Sequence, residues 1–211
     1  MGRLKWLKKI FPTMRAKIVT DSINSIGGLD FTSVLVVGSG KDPYRKLFRK
    51  SLQYICLDII PEKGITNVIG DALNMPLISS SFDCVFASEV MEHLSDPIIF
   101  VKEIFRVLKS DGTVILTVPF LFHQHSDPYD FWRPTYGSLV KIFAAFKEVS
   151  VMTQGNRLHV IADLITTSFY PIPVFFPLRF FNHVLFWLFK AGFFLKKPSS
   201  APSGFLLIAK K

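Results

Sequence analysis

Charged residues are scarce. Asp, Glu, Lys and Arg make up 19% of the 211 positions against 49% hydrophobic residues, a balance that excludes a chain held open by its own charge. Cysteine is scarcer still. The two that occur, Cys56 and Cys84, sit in apolar runs of strand pattern where free thiols pack as small hydrophobes, so no disulfide framework is expected and a reducing, cytoplasmic setting fits. The N-terminus lacks the unbroken apolar stretch of a secretory signal, because Lys8, Lys9 and Pro12 interrupt it. There is no internal repeat and no low-complexity tract.

Acid is missing from both ends. Residues 1–20 carry Arg3, Lys5, Lys8, Lys9, Arg15 and Lys17, and residues 164–211 carry Arg179, Lys190, Lys196, Lys197, Lys210 and Lys211, so the formal +9 resides at the termini around a slightly acidic centre. These basic ends are also strongly apolar, which points to an anionic membrane surface rather than to nucleic acid. Leu4, Leu7, Phe11, Met14 and Ile18 recur at helical spacing, so residues 1–28 read as a basic amphipathic segment, lying either on lipid or on the rest of the domain.

The centre alternates strand and helix patterns. Short β-branched runs at 34–37, 54–57, 67–69, 82–86 and 113–118 predict strands. Asp42 is placed as N-cap of a helix over 44–50 with Pro43 at its first position. Pro97 opens a second helix with Ile98, Val101, Ile104, Phe105 and Leu108 on one face, ending near Gly112. Alternation of this length predicts a mostly parallel sheet covered on both faces, with ligands beyond the carboxyl ends of its strands.

Those ends carry the chemistry. The first strand runs into Gly38-Ser39-Gly40, which lets backbone approach a ligand closely. A dinucleotide fingerprint needs a third glycine at 43, where Pro43 stands, so a nicotinamide oxidoreductase is disfavoured. Asp58, eighteen residues past Gly40, can accept from both hydroxyls of a ribose. Asp71-Ala72 offers an acceptor for an exocyclic amine beside apolar Met75 and Leu77, and the fourth strand leads into Glu89.

Together, V-L-V-V-G-S-G at 34–40, L-D at 57–58, G-D-A-x-x-M-P-L at 70–77, S-F-D-C-V at 81–85, E-V-M-E-H-L at 89–94 and R-V-L-K-S-D-G-T at 106–113 resemble the class I S-adenosylmethionine-dependent methyltransferases, type-11-like branch. The resemblance implies a Rossmann-like, doubly wound α/β fold whose seven-stranded, mostly parallel sheet ends in an antiparallel strand. It also implies S-adenosyl-L-methionine as cofactor: Gly38, Ser39 and Gly40 around its methionine part, Asp58 with Ile59 at the ribose, Asp71 and Ala72 at the adenine, and Glu89 near the sulfonium and amino end. The family loop has a further glycine where this chain has Asp42. After the fifth strand, His125, Pro128, Tyr129, Asp130 and Arg133 resemble a P-F-x-x-x-x-H-x-x-P-Y-D-F-x-R segment of many type-11-like enzymes. His125 is the expected catalytic or acceptor-binding residue, with His123 and Asp130 beside it; the alternative is a structural lid. Glu89, Glu92 and His93 match an E-x-x-E-H arrangement that some ubiquinone-pathway and small-RNA methyltransferases use for a divalent ion. Most proteins with such a run bind none, and no metal is expected.

Strands at 148–152 and 205–209 complete the sheet, with an apolar insertion over 157–203 between them. The run from Phe175 to Leu195 is long enough to suggest a membrane span, but Arg179, Asn182, His183 and Lys190 interrupt it and Pro177 breaks its start. A helix or hairpin lying in the membrane interface fits better, a lid or dimer surface being the alternative. The expected protein is a methyltransferase domain (29–211) at the cytoplasmic face of a membrane, methylating a hydroxyl of a small or membrane-presented acceptor such as a quinone-like lipid or a lipid-linked glycan. A non-catalytic S-adenosylmethionine-binding scaffold is the alternative.

Overall fold

Strands buried on both faces need apolar side chains at every position, and the first strand meets that demand: Ser33–Val37 (β1) is buried throughout. The computed structural model describes residues 12–27, 30–125, 129–168, 180–190 and 200–211, with backbone alone at 182, 183, 186, 189 and 190. Around β1 lie Gln53–Asp58 (β2), Val68–Ile69 (β3), Phe82–Ser88 (β4), Leu108–Pro119 (β5), Glu148–Gln154 (β6) and Gly204–Lys210 (β7). They form one seven-stranded sheet in the order β3-β2-β1-β4-β5-β7-β6, parallel from β3 to β5, with β7 antiparallel. This is the expected Rossmann-like sheet.

Register decides where function can sit. Val37 pairs with both Leu57 and Ala87, so Gly38, Asp58 and Ser88 leave the sheet level with one another. The chain runs outward from β1 to β2 and β3, then returns to β4 on the other side of β1. The crevice this reversal opens is where doubly wound sheets bind ligands.

Two local expectations need correction. The segment after Pro43 forms only a 3-10 turn, Arg45–Phe48, with no side-chain cap. Asp42 cannot cap it, because its backbone is left-handed (φ 48°) and its carboxylate is engaged by the Tyr54 hydroxyl at 2.7 Å and by Arg45 at 3.6 Å. The helix Pro97–Val107 (α2) does start at Pro97, where the Asp96 carboxylate accepts from the N–H groups of Ile98 and Ile99 at 2.8 and 3.0 Å. It buries Pro97, Phe100, Val101, Ile104 and Val107, whereas Ile98 is 54% exposed. The inward stripe therefore counts from Pro97, not Ile98. The helix ends at Val107 because β5 already begins at Leu108.

Contacts divide the chain into two compact units. The sheet unit comprises residues 26–119, 124–152 and 205–211 and includes the short helix Tyr136–Ile142 (α3). The helical unit comprises the chain up to Ser25 with residues 120–123 and 153–204, so parts of the expected N-terminal segment and of the insertion belong to one unit. Its helices are Met14–Ser25 (α1), Arg157–Thr167 (α4) and Phe181–Lys190 (α5). Met14 and Ile18 are buried with Ala162, and Leu185 packs against them. The Asp163 carboxylate, itself buried, accepts from the N–H groups of Met14 and Arg15 at 2.9 and 3.0 Å and so satisfies the first turn of α1. Leu4, Leu7 and Phe11, and Arg179, Lys196 and Lys197, lie outside the described residues.

Candidate active site

The β1 turn is built for close approach. Gly38 has φ 64°, and a Cβ there would meet Val90 Cγ2 at 2.5 Å, so only glycine fits. Its N–H donates to the Leu57 carbonyl at 2.9 Å, tying the turn to β2. Gly40 N–H donates to Asp58 Oδ2 at 2.9 Å and Ile60 N–H donates to Oδ1 at 3.0 Å. A carboxylate offers about four acceptor sites, so the two backbone bonds orient Asp58 and leave each oxygen able to take a ribose hydroxyl. Asp42, where the family loop has glycine, still turns left-handed, a conformation Asp tolerates better than most residues. The missing glycine is thus replaced by a strained backbone position, and Asp42 orients Tyr54 and Cys56 instead of a ligand. Burial, with Asp42 beside it, pushes the Cys56 thiol up to about 11, so it is inert at neutral pH.

Beyond the strand ends lies a cavity of about 630 Å³. Gly38, Gly40, Asp58, Ile59, Asp71, Ala72 and Glu89 all line it, seven of the eight positions predicted to meet the cofactor. Ser39 is not among the lining residues. Its side chain is buried behind the turn beside a pocket of about 70 Å³ shared with Asp42, Tyr44 and Phe86, because the tight turn points residue 39 inward.

The far wall of the cavity contains residues that sequence reasoning did not assign: His93, Leu94, Tyr129 and Phe131. Phe131 N–H donates to the Glu92 carbonyl at 2.7 Å and Trp132 Nε1–H to the Leu94 carbonyl at 2.8 Å, stitching the loop after β5 to the turn after β4. His93 Nδ1 donates to the Tyr129 carbonyl at 2.5 Å, which fixes the orientation of the ring. No spacing rule could have paired positions 92–94 with 129–132; the usable signals were the E-V-M-E-H run at His93 and the P-Y-D-F run at Tyr129.

His125 and Asp130 do not line the cavity. The His125 ring lies edge-on to His93 with centroids 5.1 Å apart, and its backbone N–H donates to Asp130 Oδ2 at 2.8 Å. Asp130 is held by Arg133. Burial opposes its ionisation, yet the Arg133 guanidinium and the His125 N–H hold its carboxyl below the usual range. Asp130 therefore fixes the loop instead of reaching into the cavity. His123 belongs to the helical unit, where its ring packs on Phe122 at 4.2 Å. Pro128 lies outside the described residues. Among the described residues, Glu92, His93 and His125 offer donor atoms within 4.8 Å of one another, a group from which Glu89 is absent.

Residues 35–116 match the family model of a methyltransferase domain. A solved S-adenosylmethionine-dependent methyltransferase from Archaeoglobus fulgidus superposes over 100% of both chains with a TM-score of 0.63 at 17% identity. The chain is thus similar to the S-adenosylmethionine-dependent methyltransferases in its fold and, over residues 35–116, in its sequence. It is 38% identical over 66 residues to an ajmaline N-methyltransferase of Rauvolfia serpentina, covering 31% of this chain and 21% of that protein. With a demethylmenaquinone methyltransferase of Staphylococcus haemolyticus it is 27% over 157 residues, 68% of this chain and 63% of that one. The chain spans less than two thirds of the length of either curated relative.

Proposed function

We propose that the protein transfers a methyl group from S-adenosyl-L-methionine to a hydroxyl of a small or membrane-presented acceptor of the quinone-like or lipid-linked glycan class. One observation carries this reading: a single cavity joins Gly38, Asp58, Asp71 and Glu89 on one side to an aromatic and imidazole wall on the other. The residues fit the cofactor, since Asp58 keeps an acceptor site on each oxygen and Gly38 leaves no side chain in the turn. Bound there, the cofactor supplies an electrophilic methyl on a sulfonium. The chain's own work is alignment: Asp58 holds the ribose, Asp71 the adenine, Glu89 the amino end, while Tyr129 and Phe131 cover the acceptor. His125, set by Asp130 and in ring contact with His93, forms with it the imidazole pair that takes up the acceptor's proton. His123 is assigned no role.

Membrane presentation draws support from the helical unit. Phe181, Val184 and Trp187 along α5 are 59%, 45% and 68% exposed, and α4 exposes Ile161, Leu164 and Ile165. No described helix is long and apolar enough to cross a membrane. Side chains spaced along one helix face, in a region without acid, suit the anionic interface of a bilayer. A relative named for demethylmenaquinone fits the same acceptor class.

Titration calorimetry with S-adenosylhomocysteine tests the cofactor half; absence of heat from the folded protein overturns it. Flotation with phosphatidylcholine vesicles, with and without phosphatidylglycerol, tests the membrane half. Binding that needs the anionic lipid and drops with Trp187→Glu is expected, whereas a wild-type protein that stays at the bottom at low salt removes that half alone.

A further inference from the structure

The connection from β3 to β4 presents Asp71 to the cavity, and the bonds Asp71 makes within it are local. The Asp71 side chain is exposed; its Oδ1 accepts from the Leu73 N–H at 2.8 Å, and the residue makes an isolated bridge with Asn74. What fixes the connection lies behind it, on α2. Glu103 Oε2 accepts from the Met75 N–H at 2.8 Å, and Arg106 Nη2 donates to the Met75 carbonyl at 2.9 Å, so both backbone groups of Met75 are taken. Arg106 Nη1 donates to the Leu77 carbonyl at 2.7 Å and reaches Ser79 Oγ at 3.2 Å.

The clamp is itself rigid. Arg106 Nε and Nη2 donate to the two Glu103 oxygens at 2.8 Å each, a fork-on-fork ion pair one helical turn apart. The guanidinium keeps the Glu103 carboxyl below its usual range, so the pair stays charged at neutral pH. Only an arginine can do this, because one planar fork must meet a carboxylate and two carbonyls together.

The clamp is relayed to Asp71 by close packing. A Cβ on Gly70 would lie 2.6 Å from Pro76 Cδ, so Pro76 rests directly on the residue before Asp71. Pro76 stands between the two clamped residues, Met75 and Leu77. Neither Glu103 nor Arg106 lines the cavity.

We infer that Glu103 and Arg106 are positioning residues for nucleobase recognition: through Met75, Pro76 and Gly70 they hold the Asp71 carboxylate where it reads the exocyclic amine of the adenine. This rests on the assignment of Asp71 to the adenine. It makes the pair a determinant of selectivity between purines, not only of fold, since a carboxylate that drifts loses the amine while Asp58 and the β1 turn keep the rest of the ligand.

The test compares two probes by calorimetry, S-adenosylhomocysteine and its 6-deamino analogue, in which hydrogen replaces the amine. The wild-type protein is expected to prefer the amine-bearing probe at least tenfold. Arg106→Lys is expected to reduce that ratio at least threefold while leaving affinity for the 6-deamino probe within twofold. Glu103→Gln carries the same test should Arg106→Lys fail to fold. A variant that weakens both probes equally, or neither, overturns the inference and reduces the pair to a structural one. A wild-type protein that binds both probes alike refutes the assignment of Asp71 and the inference with it, while one that binds neither refutes the proposed cofactor.

Discussion

The sheet unit and the helical unit each contain a buried or half-buried aspartate that accepts two backbone N–H groups, and the two aspartates do opposite things. Asp58 orients itself on Gly40 and Ile60 at the rim of a cavity and keeps acceptor sites open. Asp163 is buried on α4 and spends its two oxygens on the N–H groups of Met14 and Arg15, about 150 residues away in sequence. The same bonds that preorganise a ligand site in one unit close a helix end in the other. Whether a carboxylate belongs to function or to fold is thus decided by what remains unsatisfied once the chain has folded.

The largest separation between the two is expected on substituting each aspartate. On the ribose role proposed for Asp58, Asp58→Ala is expected to cost about 3 kcal/mol or roughly a hundredfold in affinity for S-adenosylhomocysteine, with little change in the urea midpoint. Calorimetry and urea denaturation on the same sample check both halves. Asp163→Ala should do the reverse. It leaves two buried N–H groups unpaired and costs about 2–3 kcal/mol of stability, while affinity stays within twofold. Equal effects of both substitutions on both readouts would dissolve the distinction.

That contrast also explains what was legible beforehand. The seven strands and the near rim of the cavity follow from local patterns, since a β-α repeat delivers each rim residue to the same edge at the end of its own strand. The inward direction of the Ser39 side chain was not legible, because a turn's side-chain direction is not written in its composition. The far wall of the cavity was only partly visible: His93 and Tyr129 each sit in a recognisable run, but nothing local shows the loop contact that joins them across 36 residues. The helical unit was hardly visible at all. Met14 and Ile18 have the spacing of a helix that could lie on lipid, and only the long-range bond to Asp163 shows that they are interior.

Acid should separate the units more gently. Burial lowers the His159 ring from 6.5 to about 4, and its Nδ1 accepts the Asn156 N–H at 3.1 Å in the capping box of α4. Between about pH 6.5 and 4 the unfolded chain binds a proton there that the folded chain refuses, so stability falls as pH drops through that window and levels off below it. The depressed carboxylates of Glu103 and Asp130 behave otherwise: their contribution is complete above the unfolded carboxylate range and is lost only as pH falls through their lower folded values. Urea midpoints between pH 7 and 4.5 should therefore decline in the wild type, and His159→Gln should flatten the decline. An unchanged slope in that variant would place the acid sensitivity elsewhere.

The smallest effect is expected where sequence and structure disagree most plainly. Helical periodicity put Ile98 on the inward stripe of α2, and there Ile98→Ser would cost about 2 kcal/mol or more, the transfer of a buried branched side chain into water. The structure leaves Ile98 54% exposed, its backbone N–H donating to Asp96 Oδ1. The substitution should then change the urea midpoint by no more than the equivalent of about 0.5 kcal/mol. Phe100→Ala on the same helix, at a fully buried position, supplies the contrast at about 3–5 kcal/mol. A large loss at Ile98 would mean that α2 is rotated by one residue. The clamp would rotate with it, because Glu103 and Arg106 meet Met75 and Leu77 only in the register that turns Phe100 inward.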